Sequence, residues 1–537
     1  MNGIDTSAML TMLGLIAAVW AVVPGSARLG FRLSLSTADW VVIWSLLLAI
    51  HVLFFERELT SLGIYPDLGP YRFGLDKSGT QYLLFLALGA YVYVRSKSTR
   101  LNRWNISLFE ELARSLLHAR KFDELGILLE RHLTSALDLA TEDDLRGRLS
   151  SWIRPDPVLP VVELGPDGRP TLVKSKQGGA FSTWIRNLRS TAAETLDRRS
   201  GSWQQSRAVT RTLLSSRELV HYLAASYPYF CLELMERGTR VVEGFQDEFF
   251  VALLEDESSV LYAELRNSEN LEGPGHRLAL ADEHCLLRFY FSDIDVARRL
   301  AVYRSVGEAM IGRIDADDTL SERLNGPMLT YGEAGKNRCP IYVGTKFFRM
   351  MVSEGLHQRM ADHLWLHYLP HFAERLIARA RESREADEDD EFAAPMAYLL
   401  HELVDIACSW IADATHLTTA GVQARSNDLQ GDHVYVSFEA TKALGLLLRH
   451  ILPAERVPAR VRDASLTTVL YTLRRVEEVS ELAELSRALR TNVVTPSGSA
   501  ERGYLHYLES FYEGQDHMLR GDLPNFERVL VDAVNRL

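Results

Sequence analysis

Three stretches of this sequence hold residue types spaced so that they could do chemistry. The first is His401-Glu402-Leu403-Val404-Asp405. It begins like the helix of a zinc hydrolase, with a ligand and a general base on adjacent positions. The second ligand should be His four residues on, and Asp405 stands there. Aspartate can bind zinc, but the pattern is then far less specific. The second stretch is His363, His367 and His371, at spacings of four. On a continuous helix that spacing stacks three imidazoles on one face, although Pro370 is expected to kink it. These three are the candidate metal ligands, and no metal or other cofactor is expected on the strength of spacing alone.

The third stretch is Gly332-Glu333-Ala334-Gly335-Lys336-Asn337, which looks like the end of a phosphate-binding loop. That loop needs a glycine five residues before its second glycine, and position 330 is Thr. It also needs Ser or Thr after the lysine to reach magnesium, and here Asn337 follows. A plain loop is the better reading. Carboxylates cluster at Asp247-Glu248, at Glu255-Asp256-Glu257 and at Asp315, Asp317 and Asp318. Paired carboxylates can move protons or hold a hard cation. Without a basic partner close in sequence, solvated faces and helix caps are the expected roles. No catalytic residue is assigned, and the balance leans away from an enzyme.

The elements that must carry these residues begin with an apolar N-terminal region. Uncharged segments run over about 7–23, 40–55 and 80–94. At ~1.5 Å per residue such lengths approach a ~30 Å hydrocarbon core. Trp20, Trp40, Trp44, Tyr82, Tyr91 and Tyr93 fall near their ends, as interfacial aromatics do. A cleaved signal peptide is disfavoured, because the only early charge is Asp5. Arg28 and Arg32 lie between the first two spans, and Arg95, Lys97, Arg100 and Arg103 follow the third. Basic flanks face the cytoplasm. The expected topology is an outside N-terminus, three spans and a cytoplasmic body, in a cell inner membrane or plasma membrane. Arg95, Lys97, Arg100 and Arg103 are the expected lipid contacts, each drawn to an anionic leaflet by roughly 1 kcal/mol.

The predicted fold class is mainly α: three N-terminal transmembrane helices, then a large cytoplasmic helical region of several subdomains with a minor β-hairpin. Residues 1–96 form the membrane module, and 97–150 a juxtamembrane helical hairpin. There Phe109, Leu112 and Leu116 share one face, and Leu125, Leu128, Leu129 and Leu133 share another. Residues 151–180 carry the hairpin and a loop, from short β-rich runs around Asp167-Gly168. Residues 181–381 form a helical core domain, 382–392 an acidic linker and 393–537 a C-terminal helical domain. The net charge is −12, and the run Glu382–Glu391 carries −6 of it. The rest is mildly acidic, so nucleic acid is not an expected partner. Cys231, Cys285, Cys339 and Cys408 show no metal or disulfide spacing and are expected to be buried thiols.

These readings favour a membrane-anchored cytoplasmic scaffold or sensor that binds membrane lipids through its anchor and a protein partner through its helical body. Two alternatives stand beside it. One is an oligomeric membrane effector, pore-forming or membrane-disrupting, gated by the cytoplasmic domain, in which the chain would be a homo-oligomer. The other is a metal-dependent enzyme with an unfamiliar site.

Overall fold

Apolar side chains recurring every three or four residues commit most of this sequence to helices that bury one stripe each. The computed structural model is accordingly mainly α-helical. It describes residues 37–64, 77–97, 101, 105–141, 161–164, 170–173, 201–237, 244–268, 280–328, 333–358, 360, 364–381, 392, 394–419, 433–496 and 501–536. The expected first span and the acidic run 382–391 lie outside these residues. Two compact units are defined: Met1–Leu219 with Glu236–Glu243, and Val220–Met235 with Gly244–Leu537.

In the first unit, helices Thr37–Phe54 and Lys77–Lys97 pack against each other. Their packing buries Ile43 and Leu53 but also leaves large apolar side chains on the outside. Asp39 is 4% exposed and accepts a 2.5 Å hydrogen bond from the Tyr91 hydroxyl, while Trp44 and Leu48 are 64% and 65% exposed. Side chains are described over 39–54 and 79–94 of this pair, and among the described residues no helix is long and apolar enough to cross a membrane. Further on, Ile106–His118, Phe122–Thr141 and Gly201–Leu214 form a three-helix bundle. Its interior holds Phe109, Leu125, Leu129, Leu133, Val209 and Leu213. The short strands Val161–Leu164 and Pro170–Val173 pair antiparallel, Val161 opposite Val173 and Leu164 opposite Pro170. Pro170 opens its strand, where its missing N–H costs nothing to the ladder.

The second unit is built on two apolar centres. The runs around Phe249-Phe250 and Leu286–Phe291 are far apart in sequence, yet both reach Phe347. Ring centroids lie at 5.8 Å for Phe250–Phe347 and 4.9 Å for Phe291–Phe347. Phe347 sits on the central helix Pro340–His357, whose proline opens the first turn. Beyond it, Pro395–Thr419 packs on His433–Ile451 and Ala459–Glu477, and His433–Ile451 packs on Ala483–Val494. The stripe Leu466, Val469, Leu470, Leu473 and Val476 is fully buried there.

Three of the four cysteines are buried, as expected, but Cys285 is exposed. It occupies the first position of helix Cys285–Phe291, whose buried stripe begins one residue later at Leu286 and Leu287. Burial pushes the Cys408 thiol up to about 12, so it stays protonated at neutral pH.

Candidate functional site

Among the sequence-predicted candidates, Glu402 and Asp405 gather around Arg349. Helix Pro340–His357 presents Arg349 to helix Pro395–Thr419, and on that second helix Glu402 and Asp405 are three residues apart. Positions i and i+3 share a helical face, so one guanidinium reaches both carboxylates. The Nη1 of Arg349 donates to Glu402 Oε1 at 2.8 Å, and Nη2 lies 3.2 Å from Asp405 Oδ2. The Arg349 side chain is 47% exposed, Asp405 is 35% and Glu402 only 14%. Burial alone would pull the Arg349 pKa down, but Glu402 and then Asp405 outweigh it and hold the group more firmly charged.

One turn before Glu402, the Tyr398 hydroxyl is pushed far above its ordinary range, first by burial and then by the Glu402 charge. The Tyr398 ring lies 6.1 Å from that of Tyr342, and the Lys336 ammonium sits over it at 4.2 Å. Lys336 comes from the short helix Glu333–Lys336, the stretch that resembles a phosphate loop. Its charge is engaged with a π-face, an interaction of roughly 0.5–2 kcal/mol.

The same geometry decides the metal reading of His401-Glu402-Leu403-Val404-Asp405. Glu402 and Asp405 face Arg349, whereas His401 faces a different helix. Its Nε2 lies 3.3 Å from Thr468 Oγ1, and its ring is 5.4 Å from that of Phe392. Adjacent helical positions point about 100° apart, so His and Glu at 401 and 402 diverge. The other candidate set is also divided. His363 lies outside the described residues. Leu364–His367 is a 3₁₀ turn, and the α-helix starts only at Tyr368. Pro370 is tolerated because it falls in the first α-helical turn, and the change of helix type there removes the single face that a spacing of four implies. His367 is exposed, while His371 Nδ1 is 3.4 Å from Glu374. Among the described residues, no group of three or more His, Cys, Asp and Glu could hold a metal ion.

The carboxylate clusters are taken up by bases and helix ends. Asp247 accepts from Ser305 at 2.5 Å and pairs with Arg304 at 3.1 Å. Glu248 is 2.7 Å from His221, whose other nitrogen is 3.5 Å from Glu255. Asp317 caps helix Asp318–Leu324 by accepting from the Leu320 amide at 2.8 Å, and also pairs with Arg313. Asp315 and Asp318 pair with Arg375 and Arg379. Of the expected lipid contacts, Arg95 and Lys97 belong to helix Lys77–Lys97, with side chains outside the described set. Arg100 and Arg103 lie outside it altogether.

Sequence reasoning missed Arg349 itself. It lies 53 residues from Glu402 and belongs to no motif. It also missed Glu264 and His132, both buried. His132 had a readable signal: it occupies the same apolar stripe as Leu125, Leu128, Leu129 and Leu133.

The fold and site define a mainly α-helical protein with a charged network bridging two helices. No protein-family model, no curated protein and no solved structure matches the chain.

Because the Arg349 network is half-exposed, its contribution is modest. Arg349→Ala is expected to cost about 1 kcal/mol, with the cost shrinking as salt screens the pairs. Urea midpoints at low and high ionic strength check this, and a salt-independent loss would contradict an electrostatic origin.

Proposed function

We propose that this chain is a membrane-anchored scaffold or sensor whose helical body engages a protein partner. The observation that carries the reading is the outer surface of the pair Thr37–Phe54 and Lys77–Lys97. Trp40, Trp44 and Leu48 on one helix, and Leu83, Leu86 and Val94 on the other, are exposed. The carboxylate of Asp39 is turned inward onto Tyr91. Large apolar side chains exposed along both helices call for a lipid or protein cover. A helix pair suits lipid, since helices satisfy their backbone groups internally. The basic set Arg95, Lys97, Arg100 and Arg103 supports a cytoplasmic body. The partner-binding half of the proposal rests on the large helical body, an argument from architecture.

Cys285 supplies the test, since the other three thiols are buried. After alkaline carbonate extraction the chain is expected to remain in the membrane pellet. A membrane-impermeant maleimide should leave Cys285 unlabelled in intact cells and label it in inverted vesicles. Release by carbonate would overturn the anchor, and labelling from outside would overturn the orientation. For the partner, in-cell crosslinking should give adducts that diminish when residues 1–96 are deleted; unchanged adducts would remove the role of the anchor.

A further inference from the structure

The three-helix bundle of Ile106–His118, Phe122–Thr141 and Gly201–Leu214 buries one imidazole and gives it no partner. His132 is 1% exposed, and among the described residues neither Nδ1 nor Nε2 has a hydrogen-bond partner. Its ring meets that of Phe109 edge-on, with centroids 6.4 Å apart. Other polar groups in the same interior are satisfied. Ser206 donates to the Ala136 carbonyl at 2.6 Å, and Thr210 to the Ser206 carbonyl at 2.8 Å. A neutral imidazole carries one N–H and one lone pair, so His132 leaves both unmet in the closed bundle. Each unmet buried group costs on the order of 1–3 kcal/mol. A second proton would add a charge where no acceptor waits.

The charged groups of the three helices do not offset this. On the first helix, Glu110 pairs with Arg114 at 2.7 Å, and Glu111 is exposed. On the second, Asp123, Glu130, Arg131 and Asp138 are exposed, and Glu124 pairs with Lys121. On the third, Arg207 and Arg211 are exposed. Burial first, and then the nearby positive charge of Arg131, pull His132 down from 6.5 to about 4.

We propose that His132 makes this bundle an acid-sensitive latch, closed around the neutral ring and opened when the ring takes up a proton. Opening would uncover Phe109, Leu125, Leu129 and Leu133, an apolar surface hidden at neutral pH. The direction follows from linkage. The group binds its proton more weakly closed than open, so stability is present above about 6.5 and is lost as pH falls toward about 4. Between pH 7 and pH 5 the open fraction should rise on the order of 20-fold. The latch does not depend on the anchor, because every group in it belongs to the bundle.

Hydrogen–deuterium exchange on the full chain, corrected for intrinsic rates, tests this at pH 7 and pH 5. Wild-type protection in segments 106–118, 122–141 and 201–214 is expected to fall on the order of 20-fold. In His132→Leu it should stay flat and exceed wild type at pH 7, because the unmet ring nitrogens are gone. A control segment, Ala459–Glu477, should behave alike in both proteins. No fall in wild type, or an equal fall in His132→Leu, would overturn the proposal. Should the variant fail to accumulate, exchange of the imidazole C2 hydrogen in wild type gives a second readout. A ring still neutral at pH 5 is expected, and an inflection at its ordinary position would sink the latch.

Discussion

Gly445→Ala is expected to destabilise the second unit by on the order of 3 kcal/mol. A Cβ at residue 445 would stand 2.1 Å from the backbone oxygen of Asn492 and 2.8 Å from its carbonyl carbon. That obstacle is backbone, not the loose end of a side chain, so helices His433–Ile451 and Ala483–Val494 would have to separate. Their approach is held on the same face, where Asn492 Nδ2 donates to Thr441 Oγ1 at 2.8 Å, one turn before Gly445. Alanine's better helix propensity returns only about 1 kcal/mol, so the clash wins. Gly312→Ala is the matched control. Gly312 lies inside helix Val302–Ala316, and nothing lies within 4 Å of a Cβ there. It is expected to gain up to about 1 kcal/mol by propensity alone. Thermal unfolding of the two variants should move in opposite directions, and a neutral Gly445→Ala would refute the close helix approach.

Glu264→Ala should cost a similar amount, about 3 kcal/mol, by a different route. Glu264 is 4% exposed, and its two oxygens accept from the amides of Leu286 at 3.1 Å and Leu287 at 2.9 Å. Those are the second and third amides of helix Cys285–Phe291. His284, at the N-cap position, makes no side-chain capping bond. A carboxylate from another helix therefore does the capping, and removing it strands two amides beside fully buried side chains. The helix it starts carries Tyr290 and Phe291 to Phe347, so the aromatic centre loosens with it. Burial raises the Glu264 pKa, against the pull of the Leu287 and Leu286 amides and of His284. Because the folded value lies above the unfolded one, its contribution is fully present below about 4.5 and declines as pH rises through the folded value. The urea-midpoint difference between wild type and Glu264→Ala should be larger at pH 4 than at pH 8. Glu264→Gln, which cannot ionise, should flatten that dependence.

Both cases show where a sequence stops being informative. The spacing of Leu466, Val469, Leu470, Leu473 and Val476 demands a helix, and Ala459–Glu477 is one. Nothing near Gly445 in sequence announces that a carbonyl of residue 492 will lie against it. The same holds for Glu264, 22 residues from the first amide it caps. The spacing of His367 and His371 misleads for a local reason instead. A spacing of four implies one face only if the helix type is constant, and the 3₁₀ turn at Leu364–His367 breaks that condition.

What the sequence determined by itself is the periodic part: a mainly helical chain, the apolar stripes of some of its helices and an apolar region near its start. Periodicity is a local property, set by backbone geometry and the exclusion of apolar surface from water. Tertiary structure alone decided the partners of the charged and polar groups. It gave Glu402 and Asp405 to Arg349, sent His401 to Thr468, and left His132 with none. Those pairings depend on which helices become neighbours, and packing complementarity across distant segments settles that rather than spacing along the chain.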